Sequence, residues 1–381
     1  MASLLFVTWD GGGNVPPVLG LARALSTRGH TVRFVGHTRQ EQGIRAAGFE
    51  FVNGAHARAF SAHEPHSTLD MFATLTDAGL ARDMLSALDA QPADLVVVDC
   101  MLFGALKAIE RAGVPFAVIE HFFDAYYERG MLGGPLGFAL RLARMHPRRA
   151  LDAAALRLVL SIPDLDPIAT PSANLRQVGP VIDVAPTYAP DAHTNRKDTI
   201  LVSLSTFAHR GMEGAIDRIV RAASSVSSRV VVTTGPVLPE SAVPRLPGVV
   251  VHRFVPHVEL MPEARLFIGH GGHGSSMLAL AHDVPALLLP LEPMSDQPLV
   301  AQRVERAGAG RALALSTSRE QIEPVIRALF EDGPHRAAAA RLGVALRAMR
   351  GAELGADAIQ TVVALPRAHR APPSGESHVV A

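Results

Sequence analysis

Apolar runs without polar alternation recur along this chain, each followed by a stretch of helical spacing and then a glycine. Leu4–Thr8 is the first run. Val18, Leu21, Ala22 and Leu25 then fall on one helical face, which predicts a helix over Pro17–Thr27 that stops at Gly29. Thr31–Val35, Asp94–Val98 and Val114–Ile119 read as further strands. Helices over Gln40–Ala47 and Phe103–Ala112 end at Gly48 and Gly113. Strands apolar on both faces, separated by helices, predict a parallel sheet covered on both sides. Residues 125–175 read as helical, arginine-rich and weakly patterned.

The stretch 180–198 is rich in Pro, Asp, Asn and Thr, lacks periodicity and reads as a linker. The alternation then restarts. Strands are expected at Thr199–Leu204, Arg229–Thr233, Val249–His252, Arg265–Ile268 and Ala286–Leu289. Helices are expected near Glu213–Ser224, from Ser275, and over Asp296–Ala307, Ser318–Phe330 and His335–Met349. The fold class is therefore α/β, with two doubly wound Rossmann-like domains facing a cleft. The expected division is a first domain over 1–180, a linker over 181–198 and a second domain over 199–350. A helix over 351–365 is placed to cross back to the first domain, and 366–381 is expected to be a flexible tail. In such a pair, ligands bind where the carboxyl ends of the strands face the cleft.

Composition narrows the partners. Lys+Arg and Asp+Glu are equal at 36 each, so no global field favours nucleic acid or an anionic membrane. The first residues enter a strand directly, without the basic and apolar regions of a signal peptide, and no apolar run reaches the ~20 residues of a membrane span. The single Cys100 excludes an intramolecular disulfide, and no cysteine cluster suggests zinc. A soluble cytoplasmic protein, with no integral membrane association, is the expectation. A homodimer is left open.

The candidate chemistry concentrates in Phe267–Gln297. A strand ends at His270, passes through Gly271, Gly272 and Gly274, and opens into a helix carrying Ser275 and Ser276. Glycines let a backbone approach closely, and helix N-terminal N–H groups favour an anion. A second strand, Pro285–Pro290, leads to Asp296 and Gln297, a carboxylate and an amide suited to sugar hydroxyls. A diphosphate beside a polyol is a nucleotide-sugar. Singly, each piece has a structural reading: a close-packing turn, a core histidine, a helix N-cap. Jointly, the polar groups all fall at the carboxyl ends of expected strands, which packing alone does not require.

With these motifs in order, the chain resembles the natural-product glycosyltransferases of the GT-B fold. That family includes bacterial macrolide, glycopeptide and aromatic-polyketide glycosyltransferases and plant UDP-glycosyltransferases. His270-Gly271-Gly272-His273-Gly274-Ser275-Ser276 resembles the family's diphosphate loop, and Asp296-Gln297 its sugar-contacting pair. Phe254-Val255-Pro256-His257 sits where the family stacks the nucleobase. Asp283-Val284-Pro285 matches its G-V-P, and Val202-Ser203-Leu204-Ser205-Thr206 resembles the segment under the donor diphosphate, with Ser205 in place of Gly. The resemblance implies donor contacts from Ser205, Phe254, Val255, His270, Gly272, Gly274, Ser275, Ser276, Asp296 and Gln297. It implies an inverting transfer that needs no metal and no cofactor beyond the nucleotide-sugar co-substrate.

Two positions depart from the pattern. Aligned on the first helix, Gly13 and Pro17 take the places of the family's Gly and Pro, and Asn14 takes the place of its catalytic His. An amide has no proton affinity near neutral pH. A carboxylate then takes the proton, Asp10 or Asp99, the latter standing where the family orients its His; or the acceptor needs little help; or the protein binds without turnover. His121 is a further residue on the acceptor side. Leu278 stands where UDP-sugar users carry a ribose-binding Glu, which favours a dTDP-sugar, often a deoxysugar. The acceptor is expected to be a hydrophobic, aromatic or polyketide-like small molecule, lined from Phe60, Met71, Phe72, Leu75, Leu80, Met84, Phe122, Phe123, Tyr126, Tyr127 and Met131. The alternatives are a non-catalytic auxiliary protein of a glycosyltransferase and a sugar-nucleotide epimerase on the same fold.

Overall fold

The computed structural model describes residues 1–182, 198–209 and 211–365. The first half runs β1 Ser3–Val7, α1 Val15–Thr27, β2 Thr31–Val35, α2 Glu41–Ala46, β3 Glu50–Val52, α3 Thr68–Leu75, α4 Ala78–Ala90, β4 Leu95–Asp99, α5 Phe103–Ala112 and β5 Phe116–Glu120. A π-helical turn over Tyr126–Met131 follows, then α6 Pro135–Leu142, α7 Pro147–Ala153, β6 Leu156–Val159 and β7 Leu175–Gln177. Its seven strands form one parallel sheet in the order β3-β2-β1-β4-β5-β6-β7.

The second half runs β8 Thr199–Ser203, α8 Met212–Ser224, β9 Arg229–Thr233, β10 Val249–His252, α9 His257–Leu260, β11 Ala264–Gly269, α10 His273–Ala281 and β12 Ala286–Leu288. It continues with α11 Gln297–Arg306, β13 Gly310–Ala312, α12 Arg319–Phe330, α13 Pro334–Ala348 and α14 Gly351–Ala364. Six parallel strands order as β10-β9-β8-β11-β12-β13. Both halves are Rossmann-like. Each sheet reverses its order beside its first strand, so each opens a crevice at its carboxyl edge.

Successive residues of a strand feed opposite cores. Leu5, Val7, Val96 and Val98 pack under α4 and α5, while Leu4, Phe6, Leu95 and Val97 pack under α1 and α14. In α14, Ala356 and Ile359 lie in that second cluster, and Asp357 pairs with Arg28, the residue that caps α1, at 2.9 Å. The chain therefore returns to the first sheet at its end. A third cluster joins Phe123, Ile162 and Leu165 of the first half to Met277, Leu278 and Val300 of the second.

The reading of 125–175 as helical is corrected. Two strands, β6 and β7, close the first sheet there. β6 is only four residues long and carries Arg157 between its leucines, so it shows no apolar run. Helices α3 and α4 and the three-residue strands β3 and β13 also went unread. Most of the expected linker and the whole expected tail lie outside the described residues.

Candidate active site

On the first domain the cleft floor is built from the ends of β1, β4 and β5. Asn14, 1% exposed, sits where the β1 loop turns into α1. Its Nδ2 donates to Asp99 Oδ2 at 2.9 Å and to the Trp9 carbonyl at 3.1 Å. Asp99 ends β4, and its Oδ1 accepts the Met101 N–H at 2.9 Å. His121 follows β5, with Nδ1 3.5 Å from the same Asp99 Oδ2. The structure thus joins Asn14 to Asp99 and adds His121.

Asp10 stands apart from this group. Burial raises its carboxyl above the usual range, and the charges that pull it back are His63 and Arg39. Among the described residues, no hydrogen bond or ion pair links its side chain to Asn14 or Asp99. The floor is aromatic: Trp9 lies 5.5 Å from Phe60, which stacks on His66 at 4.3 Å, and Phe122 meets Tyr126 edge-on at 5.6 Å. Part of the expected acceptor lining is core instead. Leu75, Leu80, Met84, Tyr127 and Met131 are buried, as Phe60 and Phe122 are apart from about one-twentieth of their surface, and the Tyr127 hydroxyl is bound to the Cys100 carbonyl. Phe123 faces His273 of the second domain rather than the pocket.

On the second domain, His270, Gly271 and Gly272 connect β11 to α10. Gly271 has φ +85°, and a Cβ there would stand 2.9 Å from the Gln297 carbonyl. Only glycine allows the donor loop to seat against the start of α11. The Ser276 hydroxyl is fully buried without a partner. Ser275 Oγ lies 3.4 Å from His257 Nδ1, whose Nε2 meets Thr233 Oγ1 at 3.0 Å. Gly274 is exposed with open space beside it, and Phe254 stands 77% exposed on the rim beyond β10, next to half-buried Val255. Ser205 Oγ accepts the Phe207 N–H at 3.0 Å.

Burial, with His209 nearby, pushes His270 down to about 4, so the imidazole is neutral. Asp296 occupies the N-cap position of α11 yet makes no side-chain cap. Its carboxyl is pushed up to about 7 by burial. Gln297 is partly committed to structure: its Oε1 accepts the Leu291 and Glu292 N–H groups at 2.7 and 3.1 Å, which folds the 290–297 segment and leaves its amide N–H free for a ligand.

The chain contains one Asp-x-Asp motif, Asp164-Leu165-Asp166. Asp166 is buried and accepts from the Asp124 and Ala125 N–H groups at 2.7 and 3.2 Å and from the Ser161 hydroxyl at 2.8 Å. It fixes the start of the 124–131 segment. A broad hollow between α8 and α11, lined by Gly211, Arg218, Pro293 and Gln302, holds none of the candidate residues.

Two family models match. The model of a glycosyl transferase 4-like domain covers residues 12–168, and that of the erythromycin biosynthesis protein CIII-like C-terminal domain covers 217–356. The chain is 29% identical to the 4'-demethylrebeccamycin synthase of Lentzea aerocolonigenes, over 90% of this chain and 94% of that protein. It is 25% identical to the L-demethylnoviosyl transferase of Streptomyces niveus, over 89% and 92%. Among solved structures, the glycotransferase of kitacinnamycin superposes with a TM-score of 0.77 at 21% identity, over 94% of this chain and 98% of that one. The glycosyltransferase VinC in complex with dTDP gives 0.70 at 19%, over 95% and 99%. At these identities the structural likeness is one of fold.

Proposed function

The chain belongs to the natural-product glycosyltransferases of the GT-B fold, and from that premise we propose an inverting transfer of a sugar, a deoxysugar by preference, from a dTDP-sugar to an aromatic or polyketide-like acceptor. One observation carries the donor half: the contact of Gly271 with Gln297 draws the diphosphate loop and the sugar-contacting pair around one point. His270, Ser275 and the N–H groups opening α10 face the departing diphosphate, with the Ser276 hydroxyl sealed behind them. Their dipoles oppose the charge that grows there in the transition state, the task a metal would otherwise perform. Asp296 and the Gln297 amide hold the sugar hydroxyls, and Phe254 offers its exposed ring to the base. Ser205, Val255, Gly272 and Gly274 line the approach.

The preference for dTDP rests on Leu278, whose side chain is buried apolar surface and can accept no bond from a ribose 2′-hydroxyl. An unpaired buried hydroxyl costs about 1–3 kcal/mol, which a 2′-deoxyribose avoids. The acceptor lies over Trp9, Phe60, Phe122 and Tyr126, with Asn14, Asp99 and the more distant Asp10 beneath it. The nucleotide-sugar is a co-substrate, and no further cofactor is required. The test is calorimetric titration with dTDP-glucose, UDP-glucose and a dTDP-deoxysugar, then incubation of the best donor with hydroxylated aromatics and product mass. Tighter binding of the UDP-sugar would overturn the donor assignment, and free sugar without glycoside would overturn the transfer.

A further inference from the structure

Asn14 holds the place of the expected base and has no basic nitrogen, but the carboxylate beside it has a second neighbour. His121 Nδ1 lies 3.5 Å from Asp99 Oδ2, the oxygen that takes the Asn14 amide at 2.9 Å. That nitrogen is sealed from solvent and makes no hydrogen bond, so the Asp99 carboxylate is the acceptor within its reach, while the side chain keeps 12% of its surface exposed. The open edge therefore carries Nε2. Phe122 packs on the ring at 4.7 Å from the acceptor side, and His273 of the donor loop's helix faces it from across the cleft. His121 thus stands between the two substrates.

Resting on the transferase reading above, we infer that His121 is the general base of this enzyme, aligned through Nδ1 by Asp99, and that Asn14 is a positioning residue that holds the Asp99 carboxylate. The base has moved from the first helix to the end of β5 while its carboxylate has stayed. Apo pairs of this kind stand slightly long and tighten with substrate bound. Nε2 takes the proton of the acceptor hydroxyl. The freed oxygen attacks the anomeric carbon opposite the diphosphate, the new C–O bond forms, and the bond to the diphosphate breaks with its electrons leaving on phosphate. The imidazolium then returns its proton to solvent.

Three titratable groups face the ring: Asp99, Cys100 and His273. The Cys100 thiol is held neutral, pushed up by burial and by Asp99. His273 is neutral too, pushed down to about 3 by burial and by His121. His121 itself lies below the ordinary histidine value because burial outweighs Asp99, so it is unprotonated at neutral pH. Asp99, Cys100 and His121 also bring three potential metal-ligating atoms within 4.8 Å of one another. Both Asp99 oxygens, however, already accept N–H bonds, from Asn14 and Met101, which suits orienting a ring better than binding an ion.

The test uses the full chain with dTDP-glucose as donor and 7-hydroxy-4-methylcoumarin as acceptor, following kcat against pH and dTDP affinity by calorimetry. His121→Gln is expected to lower kcat by about 100- to 10,000-fold, the usual weight of a general base, with dTDP affinity held and the acid limb gone. Asn14→His in the His121→Gln background is expected to recover at least ten-fold, since Asp99 can orient either ring. Asp99→Asn keeps His121 in place and serves where the first variant folds poorly: its acid limb is expected to move to lower pH and kcat to fall. Wild-type protein that transfers sugar, with His121→Gln and Asp99→Asn keeping its rate and its acid limb, would overturn the base and leave the transferase reading intact. Wild-type protein that neither binds dTDP nor transfers would overturn both.

Discussion

The Tyr126 hydroxyl of the first domain donates to the Met294 carbonyl of the second at 2.7 Å, across 168 residues of sequence. Met294 belongs to the segment that Gln297 folds and that Asp296 ends, so one bond ties the wall proposed for the acceptor to the segment proposed to hold the sugar. Asp296 and Glu292 are also the charges that help raise the Tyr126 phenol, after burial, which places the ring beside the sugar pair. Closure of such a cleft excludes water from a reactive donor.

Tyr126→Phe is expected to loosen that closure. A neutral hydrogen bond of this kind contributes about 0.5–1.5 kcal/mol, so the donor KM should rise by roughly two- to ten-fold. Hydrolysis of the donor should rise relative to transfer. Steady-state kinetics with parallel measurement of free sugar checks both, and an unchanged ratio of hydrolysis to transfer would separate this contact from closure.

Arg157 illustrates a buried charge with a structural task. Its guanidinium is 7% exposed and meets Glu120 at 2.7 Å, Glu128 at 3.2 Å and Asp124 at 3.3 Å. Burial pushes Glu120 up to about 8, with Arg157 opposing the rise. Arg157→Met strands these carboxylates and is expected to cost about 3–5 kcal/mol. The sign with pH follows from a raised carboxyl: its stabilising protonation is lost as pH rises through the folded value. In the variant that value climbs further, so its deficit against wild type should widen from pH 7 to pH 9. Urea melts at both pH values read this directly.

The same arginine explains what the sequence hid. An apolar run revealed β4, but β6 is four residues with a charge inside, and only the three-dimensional carboxylate cage shows why a buried strand tolerates it. On the second domain the strand order was readable, and Ser205, His270 and Asp296 do each follow a strand as the sequence suggests. On the first domain Asn14, Asp99 and His121 could each be named from the sequence, but not their contact. That needed the strand register: β4 and β5 are parallel neighbours with Asp99 opposite Ile119, so residues just past both ends meet. That signal lies in pairing, not in any local motif. The role given to Gln297 was incomplete for a similar reason, since its carbonyl is spent within its own loop.

His270 gives a proton-linked prediction. Its imidazole is pushed down to about 4, first by burial and then by His209 and His257, with the Leu204 backbone pulling the other way. A diphosphate placed against it favours the charged form and raises that value. Binding of dTDP should therefore take up a proton, and affinity should rise as pH falls from 7 towards 5. His270→Ala is expected to weaken dTDP binding by about ten-fold at pH 7, the loss of one donor to an anion, and to abolish the uptake. Calorimetry in two buffers of different ionisation enthalpy measures it; equal uptake in the variant would remove His270 from the cradle.

Asp296 is shifted in the opposite direction. Its carboxyl is pushed up to about 7 by burial and has no side-chain partner at the helix N-terminus. In the unfolded chain it titrates near 3.9. Between those values the folded state binds more protons than the unfolded one, so stability from this group falls as pH rises and levels off above about 7. Asp296→Asn is isosteric and removes the titration. The variant without ligand should match wild type near pH 4 and exceed it at pH 8 in thermal melts, while its transfer rate collapses because an uncharged amide offers one acceptor oxygen where the carboxylate offers two. A bound dTDP-sugar supplies the missing donors and should narrow the difference in Tm at pH 8. Melts that stay parallel from pH 4 to pH 8 would mean that the carboxylate is already solvated, and that it holds no sugar in a desolvated cleft.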